Sequence, residues 1–74
     1  MKANVLVTGA SGQLGTELRM VYNSLEGCRF FFTDAVIQEF GQQCNTAVLD
    51  ITDADAVISF VAQNHIDIIV NCAA

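Results

Sequence analysis

The chain contains no proline, and only Lys2, Arg19 and Arg29 carry positive charge. With eight acidic residues the formal net charge is −5. No basic cluster is present to neutralise a phosphate backbone, which argues against nucleic acid as a partner. Linker-like stretches, internal repeats and low-complexity segments are also missing, so the sequence reads as one continuous unit. Three cysteines form an odd set without a Cys-x-x-Cys spacing. That excludes a disulfide framework and a zinc knuckle, and Cys28, Cys44 and Cys72 are expected as reduced thiols packed as small hydrophobes. Reduced thiols fit a cytoplasmic setting. The apolar lead before Thr8-Gly9 is too short for a signal-peptide core or a membrane span, so no membrane partner is expected.

What the chain does have is apolar residues, 53% of its 74, with only 15% charged. That balance excludes disorder and fits strands covered on both faces, as in a parallel sheet. Asn4–Val7 is a short Val-rich run ended by Thr-Gly and predicts a strand. From Gly12 to Asn23, Leu14, Leu18, Val21 and Tyr22 fall at helical spacing, and Asn23-Ser24 with Gly27 ends the helix. Arg29–Thr33 predicts a second, aromatic strand bounded by Asp34. Ala35–Gln43 is ambiguous, with a single helical turn over Val36–Phe40 as the expectation. Thr46–Leu49 predicts a third strand. Thr52 or Asp53 caps a helix whose stripe is Ala56, Val57, Phe60 and Val61, running to Asn64. Asp67–Asn71 predicts a fourth strand with almost no polar alternation, as in a covered parallel sheet. Strands alternating with helices imply a doubly wound α/β fold of Rossmann type, with strand order 3-2-1-4 from right-handed crossovers.

Gly9, Gly12 and Gly15 follow the first strand and open the first helix, the context a phosphate-binding loop requires. Gly9 permits the tight turn, Gly12 leaves the pyrophosphate unobstructed and Gly15 lets the helix lie close to the sheet. Free N–H groups near Gln13 and Leu14 then point at the phosphates with the helix dipole behind them. Ser11 either bonds a phosphate or steadies the turn. Asp34 lies about 20 residues beyond the loop, at the end of the second strand, where a carboxylate accepts from the adenosine ribose. With Ala35 after it, no cation awaits a 2′-phosphate. The expected cofactor is therefore NAD or NADP, leaning to NAD.

Three runs carry a resemblance: Thr8–Gly15, Leu49-Asp50-Ile51-Thr52-Asp53, and Ile69–Ala74. Together they resemble the N-terminal part of the dTDP-4-dehydrorhamnose reductases, in the extended short-chain dehydrogenase/reductase superfamily. The resemblance implies that Asp50 and Ile51 lie beside the adenine, and that Ala73 and Ala74 belong to a turn passing the cofactor's ribose and phosphates. It implies an NAD(P)H-dependent reduction of a keto group on a nucleotide-linked sugar, in dTDP-rhamnose biosynthesis. A homodimer of the full-length parent is compatible with it. The proton transfer in that family belongs to a Tyr-x-x-x-Lys pair. Tyr22 and Lys2 are the sole tyrosine and lysine here and form no such pair. No catalytic residue is therefore expected within these residues, and Tyr22 is expected in the core. The alternative parent is a non-catalytic, cofactor-binding regulatory subunit resembling the β subunit of methionine adenosyltransferase.

An apolar fourth strand left at a sheet edge is an aggregation template. The 74 residues are accordingly expected to be part of a longer protein, inactive alone. His65 is expected at a helix end or on the surface. Asp53 and Asp55 are expected to complement the helix dipole rather than hold a metal.

Overall fold

The computed structural model describes residues 3–24, 26–36 and 45–72. Strand β1 spans Ala3–Thr8, helix α1 Gln13–Val21, strand β2 Cys28–Asp34, strand β3 Asn45–Val48, helix α2 Ala54–Gln63 and strand β4 Ile68–Asn71. A one-turn 3-10 helix, Tyr22–Ser24, extends α1. The strands form one parallel sheet in the order β3-β2-β1-β4, as the sequence predicts. The expected turn over Val36–Phe40 falls largely outside the described residues, as do Lys2 and Cys44.

Register assigns the side chains to two faces. Val5 pairs with Phe30 and Val7 with Phe32 in β2, while Val7 also pairs with Val70 in β4. These alternate residues turn to the α1 side, where Val5, Val7, Ala10, Phe30 and Phe32 form the buried core. Leu18, Tyr22, Cys28, Val70 and Cys72 pack around it. Tyr22 stands edge-on to Phe32, with ring centroids 5.5 Å apart, and to Phe30 at 6.3 Å. Its predicted place in the core is observed, although it falls just past α1. On the opposite face Phe31 meets Phe60 of α2 edge-on at 5.9 Å. Cys28 and Cys72 are free and half-buried, as packed thiols should be.

Two polar residues inside the sheet are satisfied. Thr33, fully buried, donates its hydroxyl to the Val7 carbonyl at 2.8 Å. Thr8 donates to the Asn71 side-chain oxygen at 3.0 Å and so ties β1 to β4 at their carboxyl ends. At the other end of the sheet, the Asn4 and Asp67 main chains and side chains interlock. Asn4 N–H donates to Asp67 Oδ2, Asp67 N–H to the Asn4 carbonyl, and Asn4 Nδ2 to the His65 carbonyl.

The open alternatives at α2 resolve in favour of Asp53. Its Oδ1 accepts the Ala56 N–H at 3.1 Å, and Asp55 stands in the first turn, complementing the dipole. The helix closes with Ile66 N–H on the Val61 carbonyl and His65 N–H on the Ala62 carbonyl. This is the Schellman pattern. His65 occupies its left-handed position at φ 52°, so the expected helix-end role is specific.

β4 departs from its sequence pattern. Its composition is that of a covered strand, yet Ile68 is 48% and Ile69 53% exposed.

Candidate dinucleotide-binding site

The carboxyl ends of four parallel strands lie along one edge of the sheet, and the strand order reverses at β1, with β2 and β3 to one side of it and β4 to the other. Ligands of open α/β sheets bind at such a switch point. The loop from Gly9 to Gly12 rises there. Gly9 adopts φ 67°, a conformation that favours glycine, and Gly12 N–H closes the turn onto the Gly9 carbonyl at 3.2 Å.

The rest of the loop is fastened to β2. Ala10 N–H donates to the Thr33 carbonyl at 2.9 Å, and Ser11 N–H donates to Asp34 Oδ2 at 2.9 Å. Asp34 Oδ1 accepts from the Ala35 N–H at 2.7 Å. The Ser11 N–H holds the Asp34 carboxyl below the usual carboxylate range; desolvation opposes it, and the Ala35 N–H reinforces it. The Ser11 hydroxyl adds the last pull in that direction, but it completes no hydrogen bond of full geometry, so the two backbone bonds carry the effect.

These bonds commit the N–H groups of Ala10, Ser11 and Gly12. Those of Gln13, Leu14 and Gly15, in the first turn of α1, find no backbone partner among the described residues. Gly12 is the N-cap and offers no side chain, and no acidic residue stands in the first turn. The two helices differ: α2 is capped and charged from within, whereas α1 presents bare donors and an uncompensated dipole to the outside. A helix end of that kind is a place for an anion.

Gly9 and Gly12 fill their expected places, and Gly15 differs in the partner it approaches. A Cβ on Gly12 would meet only the Gly9 carbonyl at 3.4 Å and the Cys72 carbonyl at 4.0 Å, ordinary contacts. Gly12 therefore keeps space open rather than relieving a clash within the fold. Gly15 is buried, and a Cβ there would lie 2.5 Å from Ala10 Cα and from its carbonyl oxygen. Its close approach is to the loop backbone; the expected approach to the sheet is made by way of Ala10.

Asp50 and Ile51 leave β3 next to the end of β2, where Leu49 N–H bonds the Asp34 carbonyl at 2.9 Å. Both are exposed. Asp50 Oδ1 accepts from the Thr52 hydroxyl at 2.7 Å and the Thr52 N–H at 2.9 Å, and these bonds lower its pKa. Cys72 N–H bonds the Thr8 carbonyl at 2.8 Å, carrying the chain past the loop. Burial raises the Cys72 thiol pKa, which suits packing rather than nucleophilic chemistry. Ala73 and Ala74 lie outside the described residues. The Thr8–Asn71 bond is the feature that residue-type reasoning missed, since nothing in either segment announces a partner across the sheet.

A dinucleotide fits this arrangement. Gly12 leaves the approach open, the first-turn N–H groups of exposed Gln13 and Leu14 are without a backbone partner among the described residues, and Asp34 retains acceptor capacity beyond its two backbone bonds.

Known proteins agree with the geometry. No curated protein matches the chain. Among solved structures, a GalE-like L-threonine dehydrogenase from Cupriavidus necator, in holo form, superposes with TM-score 0.84 at 26% identity over 96% of this chain. A monomeric L-threonine 3-dehydrogenase from a metagenome gives TM-score 0.81 at 32% identity over 95% of this chain. A uronate dehydrogenase mutant from Agrobacterium tumefaciens, complexed with NAD, gives 0.74 at 30% identity over 97%. The chain spans only 23%, 23% and 26% of these proteins, respectively. The model of the RmlD substrate binding domain matches residues 1–74, and the chain belongs to that family.

Proposed function

We propose that residues 1–74 supply the pyrophosphate and adenosine side of a nicotinamide dinucleotide site in an oxidoreductase that reduces a nucleotide-linked keto sugar. The carrying observation is the uncapped, outward-facing N-terminus of α1 behind a glycine loop, beside an α2 that caps itself. The family match supports the sugar-nucleotide substrate, and a dehydrogenase neighbour complexed with NAD supports the cofactor class. When bound, the nicotinamide exchanges hydride with the substrate. The described residues hold and orient the other end of the cofactor. Gln13 and Leu14 N–H groups donate to phosphate oxygens, Gly12 admits them, and Asp34 accepts from the ribose. Asp50 and Ile51 flank the adenine; Ala73 and Ala74, outside the described residues, belong to the same proposed cofactor site by resemblance.

The fuller reading is a dTDP-4-dehydrorhamnose reductase-like enzyme whose remaining residues bring the proton donor and the sugar pocket. The exposed apolar edge at Ile68 and Ile69 supports further chain covering β4. NAD is preferred over NADP, because the Asp34 carboxylate opposes a 2′-phosphate and Ala35 offers it no cation. The test is oxidation of NADH and NADPH by the full-length protein with a dTDP-linked 4-keto sugar. Turnover with NADH favoured supports the reading. Cofactor binding without turnover, together with capture of a catalytic subunit, would move the protein to the regulatory class.

A further inference from the structure

The end of β2 does more than face a ribose. Asp34 Oδ2 receives the Ser11 N–H at 2.9 Å, one residue before Gly12, while Oδ1 receives the N–H of Ala35, its own neighbour in sequence. The first bond crosses between β2 and the loop after β1, a separation of 23 residues. Beside it runs the Ala10 N–H bond to the Thr33 carbonyl. Ala10 is fully buried and packs backbone to backbone against Gly15, so a displacement of the loop is felt at the first turn of α1.

We infer that Asp34 is a positioning residue for the phosphate loop as well as a ribose acceptor: its carboxylate pins the Ser11 peptide and so aims the α1 N-terminus at the pyrophosphate. The inference rests on the dinucleotide reading above and deepens it. A carboxylate offers about four acceptor positions on two oxygens. Among the described residues, one N–H occupies each oxygen, which leaves room for ribose hydroxyls without releasing the loop. Charge-assisted bonds of this kind are stronger than neutral ones. Asparagine at this position presents an NH₂ group to one of the two N–H donors, so it keeps at most one of the two bonds, and that one without the charge. A change made at Asp34 to alter cofactor preference therefore loosens the grip on both cofactors, because the pyrophosphate is common to them.

The experiment is a cycle between the residue and the ligand group it is expected to touch. Affinities of NADH and of its adenosine 2′,3′-dideoxy analogue are measured by calorimetry for the full-length wild type, Asp34→Ala and Asp34→Asn. If Asp34 acts only on the ribose, the analogue binds wild type and Asp34→Ala equally, and that equality overturns the inference. If it clamps the loop, Asp34→Ala weakens the analogue by roughly tenfold or more, the scale of one lost charge-assisted bond. The Ser11 amide then also exchanges faster in the unliganded variant, by more than the variant's drop in global stability accounts for. Asp34→Asn, which keeps one acceptor oxygen and the side-chain shape, carries the comparison if Asp34→Ala unfolds. A wild type that binds neither NADH nor the analogue sinks the dinucleotide reading itself, a result distinct from equal binding.

Discussion

Gly15 and Ala10 meet backbone to backbone, with no room for a methyl group between them. A Cβ on Gly15 would fall 2.5 Å from Ala10 Cα and from the Ala10 carbonyl oxygen. Neither neighbour is a flexible side chain, and Ala10 is held from below by its bond to the Thr33 carbonyl. Gly15→Ala is therefore expected to destabilise the fold by about 1–3 kcal/mol, the range for overpacking a tight contact. Helix propensity alone would push the other way, since alanine is the better helix former by about 1 kcal/mol. Urea denaturation decides between them: a lower midpoint supports the contact, and a higher one shows that the loop yields.

His65→Gly is expected to stabilise the protein. His65 holds a left-handed backbone at φ 52° in the turn that ends α2. Relief of that conformation is worth about 1–2 kcal/mol, less the greater freedom glycine has when unfolded. A net gain of roughly 0.5–1 kcal/mol should appear as a higher denaturant midpoint. A fall would show that the histidine side chain contributes something its backbone role does not.

Stability should drop on the acid side. Asp34 and Asp50 both have folded-state pKa values below the usual range, Asp34 chiefly through the Ser11 N–H and Asp50 through the Thr52 hydroxyl. Their ionised forms therefore stabilise the fold fully above the unfolded value near 3.9, and that contribution fades as pH falls through the lower folded values. Thermal midpoints between about pH 2 and pH 6 should fall toward acid, and Asp34→Asn should flatten part of that slope. An identical slope in the variant would separate Asp34 from the acid response.

Much of this was legible in the residues. The glycine spacing after a Val-rich run gave away the loop, and alternating apolar segments gave the strand order, because right-handed crossovers leave few arrangements for such a pattern. Tyr22 was legible as core from its place on the expected α1 stripe, but of the four residues of that stripe only Leu18 and Tyr22 pack on the core, while Leu14 and Val21 stand exposed. The partners of polar groups were less legible. The choice of Asp53 over Thr52 as N-cap depends on which oxygen reaches the Ala56 N–H. The Ser11–Asp34 bond joins residues that sequence order keeps apart. The role of Gly15 shifted from sheet to loop because a close approach names no partner until the turn at Gly9 is placed. The composition of β4 describes a covered strand, whereas Ile68 and Ile69 stand exposed.

The most direct test of the dinucleotide site is Gly12→Val in the full-length protein, titrated with NADH by calorimetry. Gly12 has an extended backbone that valine adopts without strain, and its Cβ would meet only ordinary contacts. Loss of N-cap preference is expected to cost about 1 kcal/mol. The account predicts a thermal midpoint near wild type and no detectable NADH binding, because the valine methyl groups fill the approach to the α1 N-terminus. A folded Gly12→Val protein that binds NADH with unchanged affinity would contradict it.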